Sequence, residues 1–179
     1  MSVLAQRYKE EIRPALKETF DYDNIMEAPK LKKIVIHVGW GDANEYPDLL
    51  DSVMEDMTRI TGQQPVVTRA KTAIANFKIR EGMPVGMKIN LREENMYEFL
   101  YRLVNIAMPR IRDFRGVSRD SFDGRGNFNL GINDHTIFPE INVDDVDQVN
   151  GLQVTIVTTA DTDEEGYELL KRMGMPFND

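Results

Sequence analysis

Four stretches of this chain alternate apolar and polar residues, and they restrict the fold more than any other feature. In KKIVIHVGW, Ile34, Ile36, Val38 and Trp40 share one face, and Val35, His37 and Gly39 share the other. In VGMKINLR, Val85, Met87, Ile89 and Leu91 oppose Gly86, Lys88, Asn90 and Arg92. NFNLGI sets Phe128, Leu130 and Ile132 against Asn127, Asn129 and Gly131. LQVTIVTT sets Leu152, Val154 and Ile156 against Gln153, Thr155 and Val157. A period of two is the mark of a strand buried on one face. A shorter strand, PVVTR, is expected near residues 65–69.

Helical periodicity fills the intervals. One helix is expected over about 3–19. A second, over about 47–61, carries Leu50, Val53, Met54, Met57 and Ile60 on one face, with Gly62 as its C-cap. A third, over about 93–107, carries Met96, Phe99, Leu100, Leu103 and Ala107, and Pro109 ends it. The fourth opens at TDEE, where Thr162 and Glu165 have capping-box spacing and acids fill the first turn. Lys171 and Arg172 suit its last turn, and Gly174 and Pro176 stop it. The acids of TDEE therefore have a structural reason and need no metal.

These elements predict an α+β fold: an antiparallel-rich sheet with helices packed on one face and an open polar face. A length of 179 residues suits a single domain over 1–179. The open face would carry His37, Lys88, Asn90, Arg92, Asn129, Gln153 and Thr155. Amides, hydroxyls and cations of this kind suit a sugar-phosphate backbone, since each offers a hydrogen bond to phosphate or a 2′-hydroxyl. A plain solvated face alternates as well, but serine, glutamate and lysine usually dominate it.

Charge sharpens the choice. The chain has a net charge of −8, yet residues 61–119 hold eleven basic residues against five acids, a net of +6 that leaves −14 elsewhere. A basic stripe is the electrostatic footprint of a nucleic-acid binder; scattered surface charge is the plainer alternative. Two segments supply it. TRAKTAIANFKIREGMP, Thr68 to Pro84, joins two expected strands and is long for such a connection, as functional loops often are. AMPRIRDFRGVSRDSFDGRGNFNLGI, Ala107 to Ile132, holds five of the thirteen arginines and four of the twelve glycines. PRIRDFRG alternates arginine with apolar residues, which predicts an extended segment with an arginine-rich face. DGRGN places glycine at bends where φ is positive. Arginine suits phosphate because its planar fork donates two bonds at once. Pairing of Arg112 and Arg115 with Asp113, Asp120 or Asp123 is the alternative use.

Other classes of function find little here. There is no cysteine, so no disulfide or thiolate metal site is available. The N-terminal residues lack the apolar core of a signal peptide, and no apolar run approaches the roughly 20 residues that span a bilayer. The chain reads as soluble and cytosolic. A metal- or nucleotide-dependent enzyme would have to use His37 and His135, the only histidines. DDVD at 144–147 lacks EF-hand spacing, and GWGDA at 39–43 lacks the third glycine of a dinucleotide fingerprint. A free RNA-binding or RNA-chaperone module also fits the basic window and the open polar face.

KLKKIVIHVGWGDA, TGQQPVVTRAKTAIANFKIREGMPVGMKINLR, AMPRIRDFRGVSRDSFDGRGNFNLGI with IFPEI, and TTADTDEEGYELLKRMGMPF together resemble the bacterial-type large-subunit ribosomal protein L5 family, in order and over essentially the whole chain. The resemblance implies a non-enzymatic protein without cofactor or metal. It implies binding to 5S rRNA in the central protuberance, an approach to P-site tRNA, a bridge to a small-subunit head protein, and a monomer when free. By position, Lys33, His37, Gln63, Gln64, Thr68, Lys88, Asn90 and Arg92 are implied as the rRNA contacts. Arg69, Lys71, Thr72, Asn76, Lys78 and Arg80 are implied for tRNA. Arg110, Arg112 and Arg115, with the segment around Asp134–Glu140, are implied on the side that faces the small subunit. Two departures stand out. His37 replaces an expected asparagine, and an imidazole cannot copy an amide's donor-acceptor pair. The overall charge is acidic where the family is usually basic, which predicts adaptation to a cytoplasm of high salt.

Overall fold

The computed structural model describes residues 2–39 and 49–178. Residues 40–43 of GWGDA lie outside the described residues, as do Pro47 and Asp48 at the start of the second expected helix. Five strands form: β1 (Leu31–Gly39), β2 (Val66–Arg69), β3 (Pro84–Leu91), β4 (Phe128–Ile132) and β5 (Leu152–Thr158). They make one open antiparallel sheet in the order β2-β3-β1-β5-β4. The alternation in the sequence becomes alternation in burial. Ile34, Ile36 and Val38 of β1, Met87 and Ile89 of β3, Phe128 of β4 and Val154 and Ile156 of β5 are buried. His37, Lys88, Asn90 and Gln153 on the other side are exposed. The fold is α+β with an open polar face, as the sequence predicts.

The chain divides into two units. One comprises Met1–Ile34, Leu91–Leu130 and Thr155–Asp179, and the other Val35–Asn90 and Gly131–Val154.

The first unit holds most of the helices. α1 (Val3–Arg7) and α2 (Arg13–Phe20) are joined by a π-helical turn, Tyr8–Ile12, that buries Tyr8 and Ile12. α4 (Glu93–Arg102) likewise runs into a π-helical turn, Leu103–Ala107. Both wide turns come just before a proline, Pro14 and Pro109. Proline has no N–H to donate, and its ring crowds the carbonyl four residues back, so the helix widens to accommodate it. Pro109 does not end the third expected helix. It sits in a 3₁₀ segment, Met108–Arg110, that continues the helical run, and the chain leaves the helical region at Ile111.

α5 (Asp163–Arg172) begins as its sequence predicts. Thr162 Oγ1 accepts from the Glu165 N–H at 3.3 Å. The return bond goes one residue further back than in a capping box, from the Asp161 N–H to Glu165 Oε2 at 2.9 Å. The other Glu165 oxygen accepts from Tyr22 Oη at 2.6 Å. Burial, and then this bond, raises the Tyr22 pKa well above its ordinary value. In the second unit, α3 (Leu49–Thr61) buries Val53, Met57 and Ile60, and Gly62 closes it at φ +71°.

Candidate nucleic-acid interface

β1 and β3 place the expected rRNA contacts by simple alternation. Lys33 and His37 lie on the open side of β1, and Gly86, Lys88 and Asn90 on that of β3. The β2–β3 register pairs Val66 with Lys88 and Thr68 with Gly86, so Thr68 joins the same side. Gly86 decides how tightly these groups gather. A Cβ there would lie 2.5 Å from the Val38 carbonyl oxygen, 3.2 Å from Thr68 Oγ1 and 3.4 Å from His37 Nε2. Only glycine allows that approach, which draws the imidazole and the hydroxyl over the middle of β3. Gln63 and Gln64 are exposed on the turn after α3. Gln63 Nε2 donates to the Asn90 carbonyl at 3.3 Å and so has a structural task. Arg92 is exposed at the N-cap of α4, directly after β3.

Among the described residues, the side chains of Lys33, His37, Gln64, Thr68, Lys88, Asn90 and Arg92 make no hydrogen bond or ion pair. The β4 and β5 end of the open face behaves differently. Thr155 Oγ1 donates to Asn129 Oδ1 at 2.7 Å, and Asn127 Oδ1 accepts from the Thr158 N–H at 3.1 Å. The sequence pattern treats these amides and hydroxyls as equivalent to His37 and Asn90. The structure separates polar groups used by the fold from those left to solvent.

The segment between β2 and β3 is more ordered in form than a loop. Ala70 and Gly82–Met83 exchange backbone hydrogen bonds of 2.8 and 2.9 Å, and Ile74 and Ile79 exchange another pair of 2.9 and 3.1 Å. A 3₁₀ turn, Ala75–Phe77, forms the tip, and Lys78 turns the chain with φ +54°. The result is a narrow hairpin. Lys71, Thr72, Asn76, Lys78 and Arg80 are exposed along it, and Arg69 at its base donates to the Gly82 carbonyl at 3.0 Å. Phe77 at the tip is 71% exposed, large for an aromatic ring.

The arginine-rich stretch corrects the sequence reading in one respect. PRIRDFRG is not an extended strand. It folds as the 3₁₀ turn at Met108–Arg110, then turns sharply at Asp113, whose φ is +55°. Alternation over so few residues, beginning at a proline, does not hold a strand without a partner edge. The structure also resolves the pairing alternative. Asp123 is occupied by the Arg125 and Asn127 N–H groups and by Asn127 Nδ2 at 2.7 Å. The Asn127 amide, with these backbone bonds, holds the Asp123 carboxyl below its ordinary pKa. Asp120 accepts from Ser118. Arg112 and Arg115 are exposed and, among the described residues, make no hydrogen bond or ion pair. Arg110 is also exposed. Glycines 124 and 126 have φ of +87° and +73°, as the bends require.

One polar pair is not foreseen by the sequence reading. His135 is fully buried, and its Nε2 lies 3.3 Å from Asp56 Oδ2. The Asn150 N–H donates to its Nδ1 at 3.1 Å, which leaves the ring proton on Nε2, facing the carboxylate. The sequence does hold a signal: Asp56 falls on the buried stripe of α3 between Val53 and Met57, and an acid there requires a partner.

Family descriptions match both parts of the chain. "Ribosomal protein L5" matches residues 24–80, and the C-terminal description of the same ribosomal family matches residues 84–177. A protein of Halothermothrix orenii named "Large ribosomal subunit protein uL5" is 65% identical over 178 residues, covering 99% of both chains. The chain belongs to the ribosomal protein L5 family. Membership makes it a non-enzymatic constituent of the large ribosomal subunit. Similar L5 proteins include those of Caldanaerobacter subterraneus, 57% identical over 177 residues, and Natranaerobius thermophilus, 53% identical over 178, each covered to 99% on both sides. The first L5 match ends at Arg80 and the second begins at Pro84, so the hairpin's returning arm separates them.

Proposed function

We propose that the open side of β1 to β3 is the platform on which this protein binds 5S rRNA in the central protuberance. Lys33, His37, Gln63, Gln64, Thr68, Lys88, Asn90 and Arg92 make the contacts. The 69–83 hairpin approaches P-site tRNA through Arg69, Lys71, Thr72, Asn76, Lys78 and Arg80. Arg110, Arg112 and Arg115 face a protein of the small-subunit head. The observation that carries the reading is the set of uncommitted donors on β1 to β3, beside β4 and β5 amides that bond within the fold. Donors left to solvent on an otherwise well-bonded sheet are free to replace water around phosphate and 2′-hydroxyl groups.

The acids belong to the same account. The +6 window of residues 61–119 contains the hairpin, β3, Arg92 and the first arginines of the 107–132 stretch, while the remaining residues carry −14. Acids placed away from RNA keep the molecule hydrated in concentrated salt without opposing phosphate, and solubility should rise from about 0.1 M to multimolar KCl. The test of function is binding of the purified chain to 5S rRNA and to an unrelated RNA of equal length, from about 0.1 M to about 2 M KCl. Selective binding that weakens with salt and persists at the upper end is expected. Equal affinity for the two RNAs at every salt concentration would overturn the assignment to 5S rRNA.

A further inference from the structure

On the first unit, a pocket of about 340 Å³ opens between the end of α2, the turn at 119–122 and the first turns of α5. Thr19, Phe20, Arg119, Phe122, Asp163, Glu164, Tyr167 and Glu168 line it. Its aromatic wall is held in place from behind: the Phe177 ring lies 6.0 Å from Phe122 and 4.7 Å from Tyr167, centre to centre. The Arg119 guanidinium covers the Tyr167 face at 4.2 Å, which leaves the rings of Phe20 and Phe122 as apolar surface. Three carboxylates and Arg119 line the pocket, and two more cations stand beside it: Arg172 donates to Thr19 Oγ1 at 3.1 Å, and Lys171 lies 5.5 Å from the Tyr167 ring. Both Asp163 oxygens accept backbone N–H groups, from Gly124 at 3.1 Å and Gly126 at 2.9 Å, and Glu168 accepts from Arg172 at 2.7 Å. Glu164 is exposed and, among the described residues, has no hydrogen bond or ion pair.

We propose that this pocket docks a basic segment of a neighbouring protein by taking in one of its arginine or lysine side chains. The methylene stem lies on Phe20 and Phe122, and the cation meets Glu164. The volume falls within the roughly 300–1,000 Å³ typical of ligand pockets. A long cationic side chain is the group whose apolar stem and charged head match such walls and rim. The acids turn away phosphate, so this surface is distinct in chemistry from the open side of the sheet and does not depend on the RNA reading.

The test is a titration of the full-length ¹⁵N-labelled chain with the peptide acetyl-Ala-Arg-Leu-Lys-Arg-Ala-amide. Amide shifts that saturate and centre on 119–122 and 163–168 are expected. Glu164→Lys should weaken the peptide about tenfold, the equivalent of about 1.4 kcal/mol, and Asp145→Lys in the other unit should not. Phe20→Ala should weaken it as well, with the fold checked by the unchanged remainder of the spectrum. No saturable shift up to about 5 mM peptide, or equal weakening by Asp145→Lys, would overturn the proposal. Loss of these amide signals on adding 5S rRNA alone, with those of β1 and β3 retained, would also overturn it, by making the pocket an RNA surface.

Discussion

The 69–83 hairpin and the 107–132 stretch are both basic, and both look like extended loops in the sequence, but they are built in opposite ways. In the hairpin the backbone bonds to itself, and Lys71, Thr72, Asn76 and Arg80 hold nothing in place. In the 107–132 stretch, side chains hold the backbone. Asp163 binds two glycine N–H groups, Asp123 binds two more N–H groups, and Arg119 lies on Tyr167. Basic composition therefore marks both segments without saying which cations are available to a partner. The hairpin should tolerate replacement of the Lys71, Thr72, Asn76 and Arg80 side chains with no loss of fold. The second stretch should tolerate it only at positions such as Arg112 and Arg115.

The sharpest way to break this contrast is at Gly166. Its Cβ would stand 2.6 Å from the Gly126 carbonyl oxygen, where the loop crosses α5. Gly166→Ala should reduce unfolding free energy by about 1–3 kcal/mol in urea titrations, as overpacking does. An unchanged midpoint would mean that the loop is not anchored there. Asp163→Ala should follow, at about 1–2 kcal/mol, because the Gly124 and Gly126 N–H groups lose their acceptor. In the hairpin, Lys71→Ala combined with Arg80→Ala should stay within about 0.5 kcal/mol of the parent protein. A larger loss would show that these side chains support the fold after all.

The smallest effect concerns pH. The Asp123 carboxyl is held below its ordinary pKa, so its contribution to stability is present at neutral pH and is lost as pH falls through the folded-state value. Thermal melts of Asp123→Asn should therefore lie below those of the parent protein at neutral pH and converge with them in acid. Curves that stay parallel throughout would show that these bonds add nothing to stability.

The strands are legible in the sequence because period-two alternation is a direct record of which side is buried. Ile34, Met87 and Val154 read inward, and His37, Lys88 and Asn90 outward, from the pattern alone. The α5 cap is legible for a similar reason, since Thr162 and Glu165 act within one turn. What lies hidden depends on partners distant in sequence. Thr155 and Asn129 satisfy each other across 26 positions, and His135 meets Asp56 across 79. The fold of PRIRDFRG is not legible, because alternation alone does not reveal whether a neighbouring strand is there to pair with it.

The central claim is that RNA lies on the open side of β1 to β3. The most direct measurement is the salt dependence of 5S rRNA affinity for two double variants, Lys88→Ala with Arg92→Ala, and Arg112→Ala with Arg115→Ala. Each phosphate left without its cation should lower the slope of log affinity against log salt by about one. The account predicts that the first pair lowers the slope by about two, while the second leaves it unchanged. An unaltered slope in the first pair and a reduced one in the second would contradict it, and would move the RNA to the arginine-rich stretch.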